Sequence, residues 1–216
     1  MEYILMDLDG TLTDPKLGIT KSVQYALAAN HINEPDLDNL CCYIGPPLRQ
    51  SFKVYHNFSE EEAEAGVAKY REYFIETGIF ENKVYEGMPA LLANLVKAGK
   101  KLMVATSKPE IFARKILEHF ALAEYFTDIC GATLDNTRST KEEIIRYALN
   151  KNRIQELSSV VMIGDRLHDV EGAKAVGIAS IGVLYGYGSR EELENAGADR
   201  IAETVEALYE VIMKID

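Results

Sequence analysis

The stretch Tyr3-Ile-Leu-Met-Asp-Leu-Asp-Gly-Thr-Leu-Thr-Asp14 decides the fold of this 216-residue chain. Its apolar start, Tyr3 to Met6, is long enough for one buried strand of a parallel sheet. Asp7 and Asp9 follow at i and i+2, a spacing that places both side chains on the same side of an extended backbone. Two carboxylates that close repel each other unless a proton or a cation lies between them. A hard divalent cation, above all Mg²⁺, suits this arrangement, and Gly10 lets the backbone approach a ligand closely.

The composition predicts a soluble globular protein. With 47% hydrophobic residues the chain can bury a proper core, and its net charge of −11 argues against a nucleic-acid partner or an anionic membrane surface. The cysteines Cys41, Cys42 and Cys130 have no metal-like spacing and fit a reducing compartment, so we expect a cytoplasmic protein. We expect neither a signal peptide nor a membrane span, because no apolar run approaches the roughly 20 residues that cross a bilayer.

The pattern of helices and strands changes along the chain. Residues 15–83 show helical periodicity throughout, with a capping box at Ser59 and a loop around Gly45. Beyond this segment short apolar strands alternate with helices, which indicates right-handed crossovers and a parallel sheet. We therefore predict the α/β class, with a three-layer α/β/α Rossmann-like parallel sheet and an inserted all-helical cap domain. Residues 1–14 and 84–216 would form the catalytic core, and residues 15–83 the cap.

Polar side chains follow several of the predicted core strands. Ligands bind at the carboxyl ends of the strands in such sheets, so these side chains are candidates for a common site. The first strand delivers Asp7 and Asp9, and the others deliver Thr106 and Ser107, Lys141 or alternatively Arg138, and Asp165 with Asp169. Acids, a hydroxyl and a lysine at one edge of a sheet suit a phosphoryl group and its metal.

Four motifs in this order carry a family resemblance: Asp7-Leu-Asp-Gly-Thr11, Thr106, Lys141 and Gly164-Asp-Arg-Leu-His-Asp169. They resemble the motifs of the haloacid dehalogenase-like (HAD) phosphohydrolases, and the helical insertion resembles that family's type 1 cap. Within the family the chain looks most similar to the phosphoglycolate phosphatases and the bacterial 5′-nucleotidase-like branch. That closer likeness rests on Ile44-Gly-Pro-Pro-Leu48 and on Ile181-Gly-Val-Leu-Tyr-Gly-Tyr-Gly188. The last four residues of this second stretch are also predicted to form a flexible turn.

The resemblance implies a role for each motif residue. Asp7 would be the nucleophile that forms an aspartyl-phosphate, and Asp9 the general acid and base. Thr106, Ser107 and Lys141 would bind the phosphoryl group. The Mg²⁺ ligands would come from Asp7, Asp165, the Asp9 backbone carbonyl and, directly or through the outer shell, Asp169. In the cap, Arg49 follows the loop of Gly45 and would contact the substrate, or else form an ion pair within the cap.

The expected activity is that of a Mg²⁺-dependent phosphomonoesterase, a phosphatase acting on a small phosphorylated metabolite such as phosphoglycolate. In the family that the chain resembles, members that cleave carbon–halogen bonds have no Asp at this position, so Asp9 favours cleavage of a P–O bond. A 5′-nucleotidase and a sugar phosphomutase would carry the same motifs and remain alternatives. A non-enzymatic regulator that binds a phosphorylated ligand is a further alternative. We expect a monomer or weak homodimer, with no nucleic-acid or membrane partner.

Overall fold

A computed structural model describes residues 1–135 and 137–215 of the chain. These residues divide into two compact units, each with its own packing. The core unit comprises Met1–Asp14 and Val84–Asp216, and the inserted unit comprises Pro15–Lys83. None of the described helices combines the length and the hydrophobicity needed to cross a bilayer.

Six parallel strands form the sheet of the core unit, in the order β5-β4-β1-β6-β7-β8. The strands in the described residues are β1 (Tyr3–Met6), β2 (Thr13–Asp14), β3 (Lys83–Val84), β4 (Lys101–Pro109), β5 (Phe126–Ala132), β6 (Val160–Gly164), β7 (Ala179–Val183) and β8 (Arg200–Ala202). β1 lies between β4 and β6, with Met6 opposite Val104 and Ile163. The first strand of the chain is thus central in the sheet.

Helices separate the strands of the core unit, as the alternation in the sequence predicts. The α-helices of the described residues are α1 (Lys16–Ala29), α2 (Leu48–His56), α3 (Glu60–Glu76), α4 (Met88–Lys97), α5 (Glu110–His119), α6 (Lys141–Lys151), α7 (Leu167–Val176), α8 (Arg190–Ala196) and α9 (Val205–Lys214). Capping boxes open α3 at Ser59 and α6 at Thr140, because each hydroxyl accepts from the N–H three residues on and the glutamate there accepts in return.

Apolar side chains cover both faces of β1, and Ile4, Leu5 and Met6 are fully buried. Leu5 belongs to a core cluster to which β4, β6, α6 and α7 also contribute. A strand buried on both faces has a continuous apolar sequence, which is why the short segment before Asp7 predicts a buried strand of a parallel sheet. The α/β class and the helix-flanked parallel sheet are confirmed.

Two strands of the sheet have bounds that the local sequence pattern does not predict. β4 continues past Ala105 to Pro109, with a register shift against β5 between Thr106 and Pro109. The sequence does not predict β8, because its three residues show no alternation of apolar and polar side chains. Only its pairing with β7 identifies it as a strand. The extension of β4 matters for the site, since it includes Thr106, Ser107 and Lys108.

The inserted unit contains α1, α2 and α3, and α1 packs against α3. The inner face of α3 buries Ala63, Tyr70 and Phe74. Gly66 is also buried on this face, and the ring of Phe52 lies 3.3 Å from the position that a Cβ would take there. The unit therefore has an apolar core of its own.

Candidate active site

Asp7 begins the site at the end of β1. Its N–H donates to Ile163 O at 2.9 Å, which extends the parallel pairing with β6 by one residue. Asp7 is only 5% exposed, and its Oδ1 accepts a hydrogen bond from the N–H of Leu8 at 2.8 Å. The sheet therefore fixes this carboxylate where the strands end.

Asp165 and Asp169 bring two further carboxylates to Asp7. Asp165 follows β6 directly and is fully buried, and its Oδ2 accepts from Tyr187 N–H at 2.7 Å. Asp169 lies in the first turn of α7, where its Oδ2 accepts from the N–H of Arg166 at 3.2 Å. One carboxylate oxygen from each of Asp7, Asp165 and Asp169 lies within 4.8 Å of the others. The structure thus places three predicted metal ligands together.

Burial makes the charged forms of these acids costly. Burial raises the pKa of Asp165 well above its usual range, and the charge of Asp169 adds to the rise. Burial also raises the pKa of Asp169 to about 6, although the Lys141 ammonium opposes the shift. Oδ1 of Asp165 is buried without a hydrogen-bond partner among the described residues. A cluster of oxygen ligands with this unmet charge fits a divalent cation such as Mg²⁺.

Lys141 is the cation nearest these carboxylates in the described core. Its Nζ lies 3.0 Å from Oδ1 of Asp7 and 2.7 Å from Oδ1 of Asp169, and it donates to Ala105 O at 3.1 Å. Burial by itself would lower the pKa of Lys141, but the charges of Asp169 and Asp7 outweigh it and the pKa is raised. This lysine therefore stays charged.

Arg138, the alternative to Lys141 in the sequence, lies elsewhere. Its Nε donates to Gly131 O at 2.9 Å, its Nη2 lies 3.5 Å from Oε2 of Glu110, and its guanidinium stacks over Tyr147 at 3.6 Å. These contacts hold the loop before α6 against β5. Of the two candidates, Lys141 is the one that contacts the acids.

Lys108 is a residue of the site that the sequence analysis missed. Its Nζ lies 2.5 Å from Oδ2 of Asp9, and the two side chains are 6% and 11% exposed. Burial raises the pKa of Asp9, and the Lys108 ammonium opposes that rise. The signal was present in the sequence, since Lys108 is two residues beyond Thr106 on the same extended strand. The carboxylate of Asp9 thus pairs with a lysine, apart from the cluster of Asp7, Asp165 and Asp169.

Thr106 and Ser107 occupy the end of β4 beside these groups. Thr106 is 1% exposed, and its hydroxyl accepts from Lys108 N–H at 3.3 Å. Ser107 is half-buried. The anchoring of Lys141 on Ala105, the residue before Thr106, brings the lysine to the same strand end.

Glycines allow the loops around Asp165 to pack closely. Gly10 has a φ of 81°, and a Cβ there would lie 2.5 Å from Cγ of Asp165. A Cβ at Gly186 would overlap the same side chain. The turn that contains Gly186 and Tyr187 is therefore more than the flexible connection that its sequence suggested, because it orients Asp165 through the Tyr187 N–H.

The two cap candidates lie in the inserted unit. Arg49 pairs with Glu60, with Nε to Oε1 at 2.9 Å, and with Glu64, with Nη2 to Oε2 at 2.6 Å. Gly45 has a φ of 103°, a conformation that favours glycine. Of the two roles expected for Arg49, the structure contains the ion pairs within the inserted unit. Its contact with substrate stays a prediction.

The sequence pattern of the family described as haloacid dehalogenase-like hydrolase matches residues 4–183. The chain therefore belongs to the haloacid dehalogenase-like hydrolase family, and the family predicted from the four motifs is confirmed. Its membership makes it a hydrolase by class. The motif residues of the matched segment are those that the structure gathers at the carboxyl edge of the sheet.

Individual relatives carry several names. A 5′-nucleotidase of Pseudomonas aeruginosa is 49% identical over 97% of this chain and 94% of its own length. The tyrosine-protein kinase PtkA of Mycobacterium tuberculosis is 37% identical over 98% of this chain and 72% of its own length. A phosphoglycolate phosphatase of Vibrio parahaemolyticus is 28% identical over 98% of this chain and 96% of its length. Among solved structures, a predicted phosphatase from Clostridium acetobutylicum is 51% identical with a TM-score of 0.96, covering 99% of this chain and 98% of its own.

Proposed function

We propose that this protein is a Mg²⁺-dependent phosphomonoesterase that hydrolyses a small phosphorylated metabolite through an aspartyl-phosphate on Asp7. The observation that carries the proposal is the position of Asp7, buried at the end of the central strand and within 4.8 Å of Asp165 and Asp169. The names of two relatives support the same class, since a 5′-nucleotidase and a phosphoglycolate phosphatase both cleave phosphate esters by name.

Asp7 attacks phosphorus in the proposed first step. The hydrogen bond from Leu8 N–H and the ion pair with Lys141 both engage Oδ1, so Oδ2 is the oxygen proposed to attack. A new P–O bond forms to Asp7 while the bond to the leaving-group oxygen breaks. In the second step water attacks the aspartyl-phosphate and returns Asp7 as a carboxylate.

Asp9 is proposed to move the proton in both steps. Burial raises the pKa of Asp9, which favours the protonated form that a general acid needs when it donates to the leaving oxygen. After the leaving group departs, the same carboxylate accepts a proton from the attacking water. Lys108, at 2.5 Å from Oδ2, holds this side chain in place and limits the rise of its pKa.

Positive charge at the strand ends makes the attack of an anion on an anion possible. Two unit charges 4 Å apart interact by about 4 kcal/mol at an effective dielectric constant of 20. Lys141 is proposed to offset charge on the phosphoryl oxygens, with Thr106 and Ser107 as hydrogen-bond donors. Asp7, Asp165 and Asp169 would hold Mg²⁺, which supplies the remaining counter-charge when bound.

The inserted unit is proposed to serve as the cap that limits the substrate to small molecules. Its length and helical content, with α1, α2 and α3 in Pro15–Lys83, suit the type 1 cap that the sequence resembles. The identity of 49% to a 5′-nucleotidase, against 28% to a phosphoglycolate phosphatase, favours a nucleoside 5′-monophosphate as the second, more specific candidate substrate.

The acceptor of the phosphoryl group separates this proposal from its rivals. Incubation with phosphate esters should release inorganic phosphate, and the release should stop when a chelator removes divalent cations. Transfer to a sugar hydroxyl would identify a phosphomutase. Transfer to a tyrosine hydroxyl would instead match the name of the relative PtkA.

Asp7→Asn tests the nucleophile, since the amide has nearly the same shape but cannot attack phosphorus. We expect no measurable phosphate release from p-nitrophenyl phosphate by this variant. Asp9→Asn should slow turnover of an alkyl ester by about 10²–10⁴-fold, because that leaving group needs a proton. The surface variant Glu124→Gln, on the turn before β5, is the matched control and should keep the wild-type rate. Wild-type activity in Asp7→Asn would refute the mechanism.

A further inference from the structure

Two tyrosine rings of the core unit lie beside the acidic site and have no role in the proposed chemistry. The rings of Tyr85 and Tyr185 are 5.0 Å apart between centroids, at an interplanar angle of 67°. This edge-to-face geometry is a favourable one for aromatic pairs. Both residues are half-buried.

Tyr85 is attached to the segment that follows the catalytic acids. Its N–H donates to the carbonyl of Leu12 at 3.3 Å, three residues beyond Asp9. Burial raises the pKa of the Tyr85 phenol, and the charges of Asp14, Asp165 and Asp9 raise it further. The phenol therefore lies near carboxylates of the site as well as near the backbone that carries them.

Tyr185 lies near one of the same carboxylates, since the charge of Asp165 acts on its phenol. It precedes Gly186, which packs so closely on Asp165 and the carbonyl of Gly10 that a Cβ would overlap both. Tyr187, two residues on, donates its N–H to Asp165 and its hydroxyl to Oδ1 of Asp14. These contacts fix the position of the Tyr185 ring relative to Asp165.

The Tyr185 hydroxyl is buried and has no hydrogen-bond partner among residues 1–135 and 137–215. Burial raises the pKa of this phenol, so it stays protonated and remains a hydrogen-bond donor. A buried donor without a partner costs free energy, which a ligand hydroxyl would recover. The ring pair thus offers an aromatic surface and one polar contact.

Charge around the rings disfavours an anionic leaving group. The charges that act on the phenols are those of carboxylates, Asp165 on both and also Asp14 and Asp9 on Tyr85. These charges would repel a carboxylate such as that of glycolate. A neutral, flat group with hydroxyls would meet aromatic carbon and a phenol donor.

We propose that Tyr85 and Tyr185 form the leaving-group contact surface of the active site and that this surface selects nucleosides. The preferred substrate class is then the nucleoside 5′-monophosphates, ahead of small aliphatic phosphate esters. This inference rests on the proposed phosphomonoesterase function. It assigns the selection of substrate to two named side chains of the core unit.

The test compares adenosine 5′-monophosphate with 2-phosphoglycolate in wild type, Tyr85→Leu and Tyr185→Leu. Leucine keeps apolar bulk but removes the aromatic face. We expect kcat/KM for the nucleotide to fall by about tenfold in each variant, mainly through KM, while that for 2-phosphoglycolate changes by less than about twofold. Tyr209→Leu, on α9, is the matched control and should change neither value.

A second measurement separates this inference from the proposed function. Calorimetry with the Asp7→Asn protein and Mg²⁺ measures binding of adenosine 5′-monophosphate without turnover. The Tyr85→Leu change in that background should weaken binding by about tenfold. If wild type releases phosphate from no ester, the phosphomonoesterase proposal fails, and the calorimetry still decides the role of the tyrosines. Equal losses for both substrates, or no preference of wild type for the nucleotide, would overturn the inference.

Discussion

Gly10→Ala is the substitution that most directly tests how the backbone supports Asp165. The φ of Gly10 is 81°, and an ideal Cβ would lie 2.5 Å from Cγ and 2.7 Å from Oδ1 of Asp165. Nonbonded carbon atoms normally rest about 3.5–4.0 Å apart, so the Asp165 carboxylate must move by about 1 Å. That displacement strains the 2.7 Å hydrogen bond from Tyr187 N–H and misplaces a proposed Mg²⁺ ligand.

Two costs combine in this variant, and controls separate them. The left-handed backbone conformation costs a non-glycine residue about 1–2 kcal/mol. Gly99→Ala and Gly177→Ala have the same backbone problem, with φ of 78° and 85°, but a Cβ at either site meets nothing within 4 Å. They should lose stability by a similar backbone cost and keep the wild-type dependence on Mg²⁺.

The assay is phosphate release from p-nitrophenyl phosphate as a function of Mg²⁺ concentration, with urea unfolding of each variant. For Gly10→Ala we expect half-maximal activity to require about 10–100-fold more Mg²⁺, as for other displaced metal-site groups. Asp165→Asn, which keeps the shape and removes the charge, should show the same direction of change if Gly10→Ala folds poorly. A Gly10→Ala protein with the wild-type Mg²⁺ dependence would refute the placement of Asp165 at the metal.

Three further predictions concern the lysines and acids of the site. Lys108→Met should move the alkaline limb of the pH profile of kcat/KM to higher pH, because the ammonium opposes the raised pKa of Asp9; Lys108→Arg should not. Gly172→Ala should lower kcat although alanine favours helices, since a Cβ there would lie 2.8 Å from Cγ of Lys141; unchanged kcat would contradict this packing. In the presence of a chelator, the free energy of unfolding of Asp169→Asn, measured with urea, should increase relative to that of wild type as the pH rises from about 4 to about 6. The folded pKa of Asp169, about 6, is above its usual value, so its ionisation destabilises the fold across that window; a constant difference would argue against it.

Sequence reasoning located most of the candidate site because parallel strands deliver their last residues to one edge. Asp7, Asp165 and Asp169 each follow or closely follow an apolar strand, and the structure brings their carboxylates within 4.8 Å. The choice between Lys141 and Arg138 required the structure, since Arg138 lies just before α6 and Lys141 opens it. Only the packing of α6 directs Lys141 to the acids and Arg138 to Tyr147.

The residues that the sequence analysis missed share one property. Lys108 lies in the site, and Tyr85 and Tyr185 are proposed to line it, through contacts between residues that are distant in the chain, such as the ion pair between Lys108 and Asp9. The i, i+2 spacing from Thr106 could place Lys108 at this strand end, but no local pattern pairs it with Asp9, because side chains from separate crossovers meet only after the sheet has formed. The expected flexible turn at 185–188 illustrates the point, since its link to Asp165 depends on the order of β6 and β7.

The sequence by itself determined the class of the fold, the buried first strand and the positions of the candidate acids. Those features depend on local hydrophobic runs and on i, i+2 spacing, which the chain carries whatever its tertiary structure. Tertiary structure alone decided which cation pairs with which acid, because burial and distance set the strength of each ion pair. It also decided that Tyr85 and Tyr185 face each other beside Asp165, an arrangement that no stretch of the sequence encodes locally.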